Sequence, residues 1–180
     1  MQEVSITTEG IQKNLKNIKP LDALCEYIWN GFDAQADTVD VRLYMNEFGL
    51  TTSISIEDNG IGIAYEELES KFKPFNDSKK SNSSTKVNHS LPHGRRGIGR
   101  LTFFAFAQSA KWNTVYEKDG NNYEYYIYME NNSLNQYDDN EGKEPKRTEQ
   151  KVGTKVVFED TQLFSKEEIV ENIKTHFFGF

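Results

Sequence analysis

"EYIWNGFDAQAD", Glu26 to Asp37, decides how the rest of this 180-residue chain is read. Glu26, Asn30 and Asp33 stand four and three residues apart in a stretch that is otherwise mainly apolar. At about 100° per residue of helix, the three fall within roughly 60° of one another. Leu21, Leu24, Ile28 and Phe32 fall on the opposite side. The spacing predicts a helix opened by Pro20, which the first turn tolerates, and running to about Ala36. One face is expected to pack on a sheet. The other presents a carboxylate, an amide and a second carboxylate in a row. Taken alone, this pattern also describes an ordinary amphipathic helix with a wet face.

Working outward, "EVSITTEG" (3–10) reads as a short strand and "IQKNLKNI" (11–18) as a helix with Ile11, Leu15 and Ile18 on one side. After the quoted helix, "TVDVRLYM" (38–45) alternates as a strand. "EFGL" (47–50) is a turn, and "TTSISIED" (51–58) is the partner strand. "YEELESKF" (65–72) is a short helix. Residues 76–94 are Ser/Asn/Lys-rich, and a loop this long inside a compact domain is functional or disordered. "RGIGRLTFFAFAQ" (96–108) predicts a buried helix opened by glycines. Residues 110–130 form a hairpin around Asp119-Gly120. Residues 131–150 read as a polar, low-complexity, variable loop. "GTKVVFED" (153–160) is a strand, and 165–178 a helix capped by Ser165 with Glu168. The class is α+β, a mostly antiparallel sheet with helices on one face. A single domain over 1–180 is expected. The apolar ending "HFFGF" suggests that it is cut from a longer protein.

Bulk properties narrow the function. A net charge of −7 argues against a broad basic surface for nucleic acid. The one cysteine, Cys25, excludes an internal disulfide framework and reads as a small core residue. The start "MQEVSITTEG" has no secretory signal, and no run approaches the roughly 18 apolar residues of a membrane helix. A cytoplasmic protein without membrane contact is expected.

Three further stretches carry chemistry. In "SISIEDNGIGI" (53–63), a strand ends on Asp58, an acceptor for a base or amide, and Gly60 and Gly62 permit close approach of a ligand to backbone. Asp-Asn-Gly is equally a strong turn signal. In "HGRRGIGRLTFFAFA" (93–107), Gly94, Gly97 and Gly99 lead into a helix start. There, free N–H groups and the dipole favour an anion, with Arg95, Arg96 and Arg100 adding charge. It is not a P-loop, because no Gly-Lys-Ser/Thr follows, and it lacks the Rossmann spacing. In "VGTKVVFED" (152–160), Thr154 can place a hydroxyl in a pocket.

In order, then, the chain shows Glu26-x-x-x-Asn30-x-x-Asp33-Ala34, Asp58-x-Gly60-x-Gly62, Gly94-x-x-Gly97-x-Gly99 and Gly153-Thr154. Over roughly residues 20–160 this resembles the Bergerat-fold GHKL ATPases: DNA gyrase B, the ninety-kilodalton heat-shock chaperones, histidine kinases and MutL. The resemblance implies a Bergerat-type α+β two-layer sandwich with a mixed, mostly antiparallel sheet and an ATP lid over about 76–99. It implies ATP and Mg²⁺ as cofactors. Glu26 matches the carboxylate that polarises the attacking water. Asn30 matches the Mg²⁺-binding amide, and Asp33 would support that site or contact a bound water. Asp58 matches the acceptor of the adenine amino group, and Gly60 and Gly62 let the nucleotide lie on the loop. Lys79 resembles a lid lysine that meets a phosphate. The backbone of Gly94, Gly97, Ile98 and Gly99 would cradle phosphates, and Thr154 matches an adenine-contacting threonine.

Glu26 favours an ATPase over a kinase, and none of His89, His93 and His176 sits on an N-terminal helix as a phospho-acceptor would. His89 and His93, four apart, read as solvated loop residues rather than a metal pair. The implied function is slow, Mg²⁺-dependent ATP hydrolysis gating a conformational change or homodimerisation. The setting would be a larger chaperone-like, DNA-processing or defence protein. The alternative is a regulatory or histidine-kinase-type domain with little hydrolysis.

Overall fold

The computed structural model describes residues 6–73 and 98–179. Helix α1 (Thr8–Leu15) starts at Thr7, whose hydroxyl accepts the Gly10 amide, and it buries Ile11 and Leu15. The strand expected over 3–10 is corrected there, since residues 8–10 are a first helical turn. A threonine hydroxyl that satisfies a free N–H favours a cap over an extended chain. Helix α2 (Pro20–Asp33) ends sooner than expected, with the Ala34 amide on Asn30 and Gly31 carbonyls and Gln35 at φ 64° turning the chain away.

Strands β1 (Val39–Met45) and β2 (Thr51–Asp58) pair around a turn in which the Asn46 side chain accepts the Phe48 and Leu50 amides. Helix α3 (Tyr65–Phe72) follows as read. The buried helix expected over 96–108 is corrected to a 3-10 helix, Gly99–Ala105. Its bonds run i to i+3, as from Leu101 to Ile98 and from Phe106 to Phe103, and the Thr102 hydroxyl donates back to the Gly99 carbonyl. Leu101 and Phe103 are buried within this short element and Phe106 at its C-cap.

Strands β3 (Ser109–Lys118) and β4 (Asn121–Glu130) turn at Asp119 and Gly120, both at positive φ, the backbone of a hairpin that matches strand twist. The loop expected over 131–150 is corrected as well. It carries β5 (Asp138–Asp139) and β6 (Lys146–Thr148), both paired to β4, and it buries Leu134. An edge strand offers unpaired backbone groups, so a polar segment can order on it without apolar side chains of its own. Strand β7 (Gly153–Glu159) leads to helix α4 (Lys166–Phe178), opened by a full Ser165/Glu168 capping box.

The sheet order is β1-β2-β7-β3-β4-β5, with β6 also on β4. Every pairing among the described residues is antiparallel. Insertion of β7 between β2 and β3 sets Thr154 beside both Asp58 and Thr114. The inner face carries Ile54, Ile56, Trp112, Ile127, Val156 and Phe158, all buried. Tyr27 of α2 meets Phe158 at 4.6 Å between ring centroids, and Phe72 of α3 meets Trp112 at 5.4 Å. The other face carries half-exposed ion pairs such as Arg42 with Glu57, which contribute little to stability. Among the described residues, no helix is long and apolar enough to cross a membrane.

Leu24 and Ile28 are buried as expected, but Phe32 is 43% exposed and packs on Trp29 and on Phe177 of α4. Contact with the sheet comes from Tyr27 and Gly31 instead. The wheel marks an apolar arc, and α4 takes part of it. Cys25 is a core residue. Burial, with the Asp22 and Glu26 charges, pushes its thiol up to about 12, and the neutral S–H donates to Asn172.

Candidate functional site

A cleft of about 440 Å³ opens between α2, the end of β2 and its following loop, α3, and the start of the 3-10 helix. Glu26, Asn30 and Asp33 line its α2 wall. Glu26 is only 8% exposed, whereas Asn30 and Asp33 are open to solvent. The Glu26 carboxylate faces Gly99, since a Cβ placed there would lie 3.8 Å from Oε2.

The far end is built by the strands. Asp58 Oδ1 accepts the Gly60 amide at 2.9 Å and the Thr154 amide at 3.3 Å. Burial raises the Asp58 carboxyl above its ordinary value, and these two bonds oppose the rise. Thr154 Oγ1 is 3.1 Å from Thr114 Oγ1, which also accepts the Ile63 amide at 2.9 Å. Around this polar group the lining is apolar: Ile56, Trp112 and Val156.

The glycines are demanded by close backbone contacts. At Gly60 a Cβ would fall 2.4 Å from the Ala34 carbonyl oxygen, which also accepts the Ile61 amide. Asn59 pins the same junction by accepting the Asp37 and Thr38 amides. Gly62 has φ +71°, and a Cβ would fall 2.1 Å from the Val115 carbonyl oxygen. Gly62→Ala is therefore expected to lower stability by about 3 kcal/mol, through strain plus a backbone clash. Urea unfolding checks this, and an unchanged midpoint contradicts it.

Of the residues singled out from sequence, the cleft brings together Glu26, Asn30, Asp33, Asp58, Gly62, Gly99 and Thr154. Gly60 does not line it and serves the loop's packing on α2. Ile98 is buried at the N-cap of the 3-10 helix and does not line it either. Lys79, Gly94 and Gly97 lie outside the described residues, as do Arg95, Arg96, His89 and His93.

Several contributors escaped the sequence reading. Gly31 lies where a Cβ would strike Val39 at 2.8 Å and approach Asp58 Cβ at 3.1 Å, so it lets α2 press against the strand carrying Asp58. A glycine inside a helix costs about 1 kcal/mol relative to alanine, and that cost is the available signal. Lys71 of α3 lines the cleft, 2.8 Å from Glu67. Arg100 is not a loop cation. Its Nη2 donates to the Phe72 carbonyl at 2.8 Å, and burial lowers its pKa to about 10, so it stays charged at neutral pH. A larger cavity of about 1040 Å³ lies on the other side of Phe72 and Arg100, but the carboxylates and hydroxyls named above converge only in the smaller one.

Residues 18–162 match the family model described as Histidine kinase-, DNA gyrase B-, and HSP90-like ATPase. The chain belongs to this GHKL ATPase family. The antiparallel sheet with helices packed on its inner face agrees with the family's Bergerat fold. The chain is also 32% identical over 114 residues to a protein of Herpetosiphon aurantiacus named "Putative type II restriction enzyme HgiDII". That stretch is 63% of this chain and 16% of the relative's length. The GHKL family binds ATP, typically with Mg²⁺.

Proposed function

We propose that this GHKL domain binds ATP with Mg²⁺ in the cleft and hydrolyses it slowly, as an ATP-gated conformational or dimerisation switch of a larger protein. The observation that carries this reading is the polarity of the cleft. One end is apolar, with the recessed Asp58, Thr154 and Thr114 group suited to the edge of a flat base. The other has Glu26, Asn30 and Asp33 beside the backbone of Gly99, suited to phosphates, metal and water.

Asp58 would accept the adenine amino group, and Thr154 would meet the ring. Gly99 would leave room for the phosphates against its backbone, Gly62 would keep the loop close on β3 at the cleft wall, and Glu26 would take the proton of the attacking water. Among the described residues, no group of three or more acidic, His or Cys side chains could hold a metal. This fits Mg²⁺, which uses one or two protein oxygens and otherwise phosphates and water. Asn30 would supply the protein oxygen. When bound, the ion neutralises phosphate charge.

Similarity to the Herpetosiphon protein favours a DNA-processing or defence setting over a chaperone-like one. The net charge of −7 argues against nucleic-acid contact by this domain, and we propose a cytoplasmic setting for the protein. Isothermal titration tests the core of this reading. ADP and ATP should bind one per chain, more tightly with Mg²⁺ than without, and GTP should bind at least tenfold more weakly. No binding of either adenine nucleotide overturns it.

A further inference from the structure

The Tyr27 hydroxyl is buried and serves two backbone groups at once. It donates to the Arg100 carbonyl at 2.8 Å and accepts the Phe103 amide at 3.1 Å. The ring is 3% exposed and is held between Phe106, Trp112 and Phe158. A phenol that carries two bonds this deep would leave two buried backbone groups unpaired if it were lost.

The position matters more than the bonds. Tyr27 follows Glu26 on α2, and Arg100 follows Gly99. The same residue pair thus joins the helix bearing the cleft carboxylate to the backbone that faces it. The Arg100 side chain extends the tie in a third direction, donating to the Phe72 carbonyl at the end of α3, 28 positions away in sequence. The 3-10 helix that begins at Gly99 has no side-chain cap at its start. Such short helices have weak hydrogen-bond geometry of their own. Its distance from Glu26 is therefore set from outside, by Tyr27 and Arg100.

We infer that Tyr27 and Arg100 are positioning residues. They hold the Gly99 backbone at a fixed distance from the Glu26 carboxylate, and so align the phosphate end of the cleft with the base for water. The inference rests on the ATPase reading above. An error of about 1 Å in such an alignment can cost about a hundredfold in rate while leaving ground-state binding intact. Neither residue is hydrogen-bonded to Asp58, Thr154 or Thr114, and loss of the Tyr27 hydroxyl alone leaves its ring against Trp112, so binding of the base should be spared.

Tyr27→Phe in the full-length protein tests this, because it keeps the ring and removes only the hydroxyl. Amide exchange at Phe103 should accelerate tenfold or more without nucleotide. ATP turnover should fall at least tenfold, with the ADP dissociation constant within twofold of wild type. Arg100→Lys keeps the charge, loses the planar reach to Phe72, and should show the same split between turnover and ADP affinity. It carries the test should Tyr27→Phe not fold.

Wild-type exchange at Phe103 together with wild-type turnover overturns the inference. So does a parallel loss of turnover, ADP affinity and melting temperature, which marks Tyr27 as a core residue only. A wild-type protein that never binds ADP sinks the ATPase reading and this inference with it. In that case, accelerated exchange at Phe103 still distinguishes a real tie from a wrong function.

Discussion

Glu26→Ala should lower ATP turnover at least a hundredfold, while ADP and ATP still bind. A general base contributes about 10²–10⁴ to rate, and no other carboxylate lines the α2 wall at similar depth. Asp33 is exposed to solvent and a further two turns along α2. Glu26→Gln is the sharper companion, since it preserves size and hydrogen bonding and removes only basicity. Glu26→Gln should keep the melting temperature, because the side chain's size and its capacity for hydrogen bonding are retained. Phosphate release and calorimetric ADP binding, measured side by side, decide the matter. Turnover within twofold of wild type in either variant removes Glu26 from the chemistry and leaves a nucleotide-binding module, the second reading of the sequence.

Asp58→Asn should weaken adenine nucleotides by about tenfold to a hundredfold while leaving the fold intact. The asparagine Oδ1 can still accept the Gly60 and Thr154 amides, so the loop and β7 keep their anchor. The second carboxylate oxygen becomes an NH₂, which cannot accept a proton from an amino group. A hydrogen bond to a charged acceptor is worth about 1.5–3 kcal/mol, hence the expected range.

Stability should hold or rise, and the sign follows from the raised carboxyl. Asp58 binds its proton more tightly folded than unfolded. Its contribution to stability is therefore fully present below the unfolded pKa near 3.8, and it is lost as pH rises through the higher folded value. At neutral pH the buried charge is a cost, and the amide removes it. Nucleotide affinity should run the opposite way, falling as pH drops through the folded value and the acceptor becomes a donor. Calorimetry of ADP binding at descending pH, on wild type and Asp58→Asn, reads this directly. An affinity equal in the two proteins at pH 8 would falsify the adenine assignment.

Much of the molecule was legible before any coordinates. Hydrophobic alternation marked β1, β2 and the β3–β4 hairpin nearly to the residue, because strands packed on one face must alternate. Ser165 and Glu168 marked the start of α4 because a capping box is a local device. The misreadings share a cause. Residues 8–10, 99–105 and 131–150 have weak local preferences, and each was decided by what lay beside it: a threonine hydroxyl, a buried aromatic cluster and the free edge of β4.

The site divides in the same way. Residue type and helical spacing by themselves put Glu26, Asn30 and Asp33 on one wall, and the ordered motifs pointed to the family. Spacing could not say that Gly60 answers to the Ala34 carbonyl, that Phe32 turns to α4, or that Tyr27 and Arg100 brace the backbone opposite Glu26. Those roles depend on contacts between residues far apart in the chain, which no local pattern encodes. Sequence determined the fold and the chemical content of the cleft, because periodicity and residue type are local. Only the tertiary structure decided which groups meet across it, because β7 enters the middle of the sheet and sets Thr154 between Asp58 and Thr114.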